Sequence, residues 1–149
     1  MPEIEPRSSP HRIPGFRRYP HLGSRSMATF HVRLEIGNPT GTQFEAVEAV
    51  VDTGSTFTAA PRELLERLGI RPSRRQRFRI ANGQVIENDV GEARVRLEGL
   101  EGMTPVIFNE PGEPVLVGAV TLEELLLGVD PVAQRLIPVE GLRVSRVEA

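Results

Sequence analysis

The chain has 149 residues, a formal net charge of −2, and 39% hydrophobic and 26% charged side chains, the composition of one globular domain with or without a tail. It contains no cysteine, tryptophan or lysine, so all 18 basic residues are arginine, and Asp occurs only at 52, 89 and 130 and His only at 11, 21 and 31. Disulfides, thiolate metal sites, cysteine nucleophiles and every lysine-dependent mechanism are thereby excluded, and a Ser-His-Asp triad would have to draw its His from the first 31 residues.

Residues 1–26 carry five Arg, two Glu and five Pro with no apolar periodicity, and read as an extended or disordered leader. They hold no continuous apolar run, so they are not a secretory signal. No other stretch approaches the ~20 apolar residues of a membrane helix, and the expectation is a cytoplasmic protein without a membrane partner. Met27 opens the patterned part of the chain and is an alternative start.

Phe30, Val32, Leu34 and Ile36 alternate with polar residues as in a half-buried strand, and Gly37 to Gly41 form a turn cluster. A second strand, Phe44 to Val51, runs into Asp52. Pro61, the stripe Leu64, Leu65 and Leu68, and a terminating Gly69 predict a short helix. Phe78 and Ile80 alternate with Arg77 and Arg79, and Asn82-Gly83 is the dipeptide favoured in type I′ hairpins. Val85 lies on the returning arm; Ala93, Val95 and Leu97 follow Gly91. Pro105 to Phe108, Val115 to Val117 and Arg135 to Val139 read as short strands. Thr121 and Glu124 have capping-box spacing, which predicts a helix through Leu125 and Leu126 closed by Gly128. The sum is a mainly antiparallel, barrel-like β domain with one or two short helices.

Chemistry concentrates at Val50-Val51-Asp52-Thr53-Gly54-Ser55-Thr56. A carboxylate follows a buried strand at a sharp turn, Gly permits close backbone approach, and small hydroxyl residues can hydrogen-bond within the turn. By itself the tripeptide serves equally well as an Asx-type turn at a strand end. Five Arg between 71 and 79 have three readings: the solvent face of an edge strand, a nucleic-acid patch, or a bias of a nearby site towards acidic peptides. Without interleaved aromatics beyond Phe78, no nucleic-acid partner is expected.

Asp52-Thr53-Gly54-Ser55 behind two apolar residues, then Ile80-Ala81-Asn82-Gly83, then Leu116-Val117-Gly118 resemble, in order, the retropepsin-like aspartic proteases, the single-domain relatives of pepsin. The resemblance covers about residues 28–140. Ala119-Val120-Thr121 stands where viral members carry Arg and then Asp or Asn, which resembles the bacterial branch instead. It implies a closed antiparallel acid-protease barrel over residues 27–149, with a peptide or protein as substrate and no metal or cofactor. Asp52 would be the catalytic carboxylate, Thr53 would bridge the dimer axis, Gly54 would bring backbone near the carboxylates, and Ser55 would bond the outer Asp oxygen. Ala81, Asn82 and Gly83 would form a flap over the substrate, and Gly118 would let the second-half strand pass under the Asp loop.

The family mechanism needs two carboxylates sharing one proton, and the chain holds one such motif, so the implied enzyme is a homodimer. A catalytically silent, peptide- or protein-binding dimer of the same fold is the alternative. The phosphate loop of the actin, Hsp70 and sugar-kinase superfamily also reads Asp-x-Gly-x-Thr, but the chain has no length for a second lobe. Asp-nucleophile phosphatases fail on Thr53-Gly54 and on the absent lysine. Cleavage near Ser26-Met27 by the protein itself is a further expectation.

Overall fold

The alternation that starts at Phe30 becomes strand β1 (Phe30–Gly37), and antiparallel β2 (Phe44–Val51) pairs with it from Phe30↔Val51 to Gly37↔Phe44. The structure, a computed structural model, describes residues 29–145; the leader expected over residues 1–26 and the start at Met27 lie outside them. Asn38 turns the chain between the two strands, its Oδ1 accepting the backbone N–H groups of Thr42 at 2.9 Å and Gln43 at 3.1 Å.

Beyond the Asp52 loop come β3 (Thr58–Pro61) and helix α1 (Arg62–Arg67). Pro61 stands at the helix entry, Leu64, Leu65 and Leu68 are buried, and Gly69 leaves at a φ of 76°. Strands β4 (Arg74–Arg79) and β5 (Val85–Leu97) form a hairpin, and β6 (Leu100–Asn109) returns along β5.

Two turns depart from the sequence reading. Asn82-Gly83 is not a two-residue connection: only Gly83 has positive φ (89°), and Ile80 N–H bonds Gln84 O at 2.9 Å across the three-residue loop Ala81–Gly83. Glu98 and Gly99, both at positive φ (55° and 79°), make the type I′ turn instead, between β5 and β6. Nor does Gly91 separate two strands. A Cβ there would lie 2.7 Å from the Arg71 carbonyl oxygen, so the glycine marks a close approach inside a continuous β5.

The chain ends with β7 (Leu116–Val117), α2 (Ala119–Leu125), β8 (Leu127–Asp130) and β9 (Arg135–Pro138). Here the capping box expected at Thr121 does not form. The helix starts after Gly118, Thr121 lies within it, and its hydroxyl is buried among other threonines rather than turned back on the helix end. The helix closes at Leu126 in the left-handed conformation (φ 54°), and Gly128 belongs to β8.

The main sheet has the order β1-β2-β7-β3-β6-β5-β4, and β1 pairs with β5 as well, so hydrogen bonding runs in a circuit through six strands with β4 outside it. Among the described residues the fold is mainly β with two short helices. The pairings are mainly antiparallel, as expected, and two are parallel, β2 with β7 and β3 with β6. Leu34, Ile36, Val51, Val95, Val106 and Phe108 fill the interior, and Leu65 and Leu122 bring the helices onto it. Among the described residues no helix is long and apolar enough to cross a membrane.

Candidate active site

Strand β2 ends against β7 in parallel register, Val50↔Leu116 and Val51↔Val117, and Asp52 N–H continues the ladder to Val117 O at 3.0 Å. The backbone then turns at once: Asp52 O accepts Ser55 N–H at 3.0 Å, and Asp52 Oδ1 accepts Gly54 N–H at 3.0 Å. The carboxylate is therefore fixed by its own loop as well as by the strand behind it. Asp52 is 6% exposed, while Thr53 and Gly54 at the tip face outward and Ser55 is half-buried.

Gly118 lies against the far side of this loop. Ala119 N–H bonds Ser55 O at 2.8 Å and Val120 N–H bonds Thr56 O at 2.9 Å, so the entry to α2 is stitched to the residues after Asp52. A Cβ at Gly118 would fall 2.6 Å from the carbonyl carbon and oxygen of Phe57, closer than real side chains come. Gly118 N–H donates to Thr58 Oγ1 at 3.1 Å. Thr58 Oγ1 in turn bonds Thr121 Oγ1 at 2.5 Å, and Thr121 Oγ1 bonds Thr104 Oγ1 at 2.8 Å. All three threonines are buried, and each needs the next to satisfy its hydroxyl. With Thr58 donating to Thr121, Thr121 to Thr104, and Thr104 Oγ1 to Pro105 O at 3.5 Å, every oxygen in the row both accepts and donates.

The Ala81–Gly83 loop stands at the other end of the β4–β5 hairpin, with Asn82 and Gly83 exposed. Asn82 Oδ1 accepts Gln84 N–H at 2.8 Å, and Arg79 donates to Gly83 O at 2.8 Å, which stiffens the tip. The hairpin meets the residues after the Asp52 loop on β4, just before this turn, where Phe78 packs on Phe57 edge to face at 5.6 Å. The structure thus joins Asp52, Gly54, Ser55 and the Gly118–Ala119 segment through hydrogen bonds, leaves Thr53 exposed at the tip, and links the hairpin to this unit through aromatic rings.

Sequence reasoning passed over Phe57, Thr58 and Thr104, and read Thr121 as a helix cap. Phe57 carried a signal, a lone aromatic in the run of small residues from Thr53 to Ala60. Thr58 and Thr104 carried none, because a buried hydroxyl reads locally like any strand Thr, and the spacing of Thr121 to Glu124 pointed to a helix cap instead.

The other two aspartates are engaged elsewhere. Asp89, on β5, meets Arg62 and Arg75, each at 3.0 Å, and hydrogen bonds from Arg75 and then Arg62 hold its carboxyl below the usual carboxylate range. Asp130 Oδ1 accepts Val132 N–H and Ala133 N–H, both at 3.1 Å, in the β8–β9 turn. Among the described residues no three His, Asp or Glu side chains gather where they could hold a metal ion.

With this geometry in hand, comparison with known proteins gives three findings. Residues 32–130, about two thirds of the chain, match the sequence model of a family described as aspartyl protease. Among solved structures, the chain is similar to the protease of simian foamy virus (mac), at 22% identity and a TM-score of 0.46, over 63% of this chain and 92% of that one. No curated protein sequence matches.

Proposed function

The chain belongs to the aspartyl protease family, and from that premise we propose that it is an endopeptidase whose catalytic dyad is Asp52 from each of two copies, over a catalytic domain spanning residues 27–149. The disposition of the three aspartates supports it most directly. Asp52 is presented on a rigid, glycine-containing turn, while Asp89 and Asp130 are held by arginines and by backbone N–H groups away from it. One chain therefore offers one carboxylate of the required kind, and a second copy is the source of the other.

Two carboxylates in contact share a proton, since both cannot ionise side by side. The ionised one takes a proton from water as the water oxygen attacks the scissile carbonyl carbon, and the protonated one hydrogen-bonds the carbonyl oxygen. Collapse of the tetrahedral intermediate breaks the C–N bond; the departing nitrogen takes the proton that the first carboxylate had accepted from water, and a hydroxyl of the intermediate returns one to the dyad as the new carboxyl C=O forms. Gly54 N–H on Oδ1 keeps the carboxylate in place through both steps. Thr53, exposed at the tip, would meet its counterpart across a twofold axis, and Ser55 would bond the outer Asp oxygen. Ala81, Asn82 and Gly83 would close over an extended peptide, excluding water and adding backbone hydrogen bonds.

Asp52→Asn is the decisive variant. On a peptide library between pH 3 and 7, activity should fall by about 10²–10⁴-fold or more. Wild-type activity should also fall on dilution below the dimer dissociation constant, followed by sedimentation velocity. Cleavage that survives the substitution, or a strict monomer at high micromolar concentration with undiminished activity, would remove the dyad.

A further inference from the structure

The β4–β5 hairpin carries different chemistry on its two faces. Arg75, Arg77 and Arg79 lie on one face, opposite Asp89, Glu87 and Val85; Arg74, Gln76 and Phe78 lie on the other, opposite Val90, Asn88 and Ile86. On the first face Arg75 is matched by Asp89 at 3.0 Å and Glu87 at 3.6 Å. The second face is turned to the Asp52 loop. Phe78 packs on Phe57, and the Arg74 guanidinium sits over the same Phe57 ring, 5.6 Å from its centroid. Phe57 is the residue whose backbone abuts Gly118, so its ring is carried by the unit that holds Asp52 and forms a wall between that unit and the hairpin.

Arg74 is exposed and makes no ion pair among the described residues, in contrast to Arg62 and Arg75 nearby. Stacking on an aromatic ring fixes the plane of a guanidinium and leaves its edge N–H donors pointing outward, the arrangement that suits a carboxylate. The aromatic surroundings also strengthen such a pair relative to one in open water. An extended peptide between hairpin and loop sends alternate side chains towards this wall. One with an apolar stem and an anionic end would lay the stem along Phe57 and Phe78 and reach Arg74.

We propose that Arg74 is a specificity-determining residue that selects an acidic side chain, Glu above all, in the peptide bound between the β4–β5 hairpin and the Asp52 loop. This rests on the peptidase reading and names the substrate class of the same site.

The test uses labelled peptide pairs that differ only by Glu or Gln at one position, scanned along the peptide. Binding to the Asp52→Asn protein is read by fluorescence anisotropy, and cleavage by the wild type as kcat and KM. At one position Glu should outperform Gln by about three- to tenfold in Kd and in kcat/KM, chiefly through KM, with the advantage shrinking as salt is raised. Arg74→Gln should erase the preference, Arg74→Glu should turn it towards Lys or Arg, and Arg77→Gln, on the opposite face, should leave it intact. Equal treatment of Glu and Gln at every position overturns the assignment, as does a preference that survives Arg74→Gln or is lost equally in Arg77→Gln. Binding of a single-stranded oligonucleotide that weakens equally in both Gln variants overturns it too, in favour of a nucleic-acid face. Peptides that are cleaved without a Glu preference refute only the role of Arg74; peptides neither bound nor cleaved refute the peptidase reading with it.

Discussion

Replacing Gly118 by Ala would set a Cβ 2.6 Å from both the carbonyl carbon and oxygen of Phe57 and 2.9 Å from the carbonyl oxygen of Ser55. Ordinary contacts between such atoms lie at about 3.5–4.0 Å, so the overlap is about 1 Å, against backbone that has no rotamer to escape into. The dihedrals at Gly118 (φ −98°, ψ 178°) are open to any residue, so the cost comes from contact alone. Relief requires the start of α2 to back away by a comparable distance. That would stretch Gly118 N–H to Thr58 Oγ1, Ala119 N–H to Ser55 O and Val120 N–H to Thr56 O, now 3.1, 2.8 and 2.9 Å, beyond useful length. Three hydrogen bonds at a net value of about 1 kcal/mol each, or overpacking strain of about 1–3 kcal/mol if the backbone stays, bracket the loss at about 1–3 kcal/mol. Urea unfolding followed by circular dichroism reads this directly. With a slope of about 1–3 kcal/mol per molar, the midpoint should drop by about 0.3–3 M. Gly102→Ala is the comparison, since its Cβ meets only side-chain atoms of Leu125 and Glu124 at 3.1–3.4 Å, which can shift. A Gly118→Ala midpoint no lower than that of Gly102→Ala would refute the close approach and the account of how the Asp52 loop is held.

Two further outcomes follow from the same structure. Thr121→Val keeps the shape but removes the middle hydroxyl of the Thr58–Thr121–Thr104 row, and should cost about 2–3 kcal/mol in urea unfolding. Thr121→Ser should cost about 1 kcal/mol, and equal losses for Val and Ser would show that the hydroxyl contributes nothing. Asp89 has its folded pKa lowered by Arg75 and Arg62, so it adds stability that is complete above its unfolded value, about pH 4, and is lost as pH falls through the lower folded value. The stability difference between wild type and Asp89→Asn should therefore be constant at neutral pH and shrink under acid, measured by urea midpoints from pH 7 to 2. A difference that grows on acidification would reverse the sign and contradict the pairing.

Strands β1 and β2 and the Leu stripe of α1 could be read from residue order, because side-chain alternation and helical spacing are properties of the chain itself. The Asp52 turn was legible for the same reason, its residues being consecutive. The fold class followed from these patterns, yet β3 and β8 passed unnoticed, β3 because Thr58-Ala59-Ala60 shows no alternation and β8 because its Gly128 reads as a helix end. Thr121 illustrates the other limit. Its spacing to Glu124 spells a capping box, but Thr58, 63 residues away, and Thr104 compete for its hydroxyl in a dry interior, where an unmet polar group costs more than an uncapped helix end. Arg74 and Arg75 are adjacent in sequence and indistinguishable there, and the pleat of β4 sends one to Phe57 and the other to Asp89. Sequence by itself determined which segments alternate and where the carboxylate turn lies. Only the tertiary structure decided what each polar side chain meets, because that depends on partners brought close by strand pairing rather than by neighbourhood along the chain.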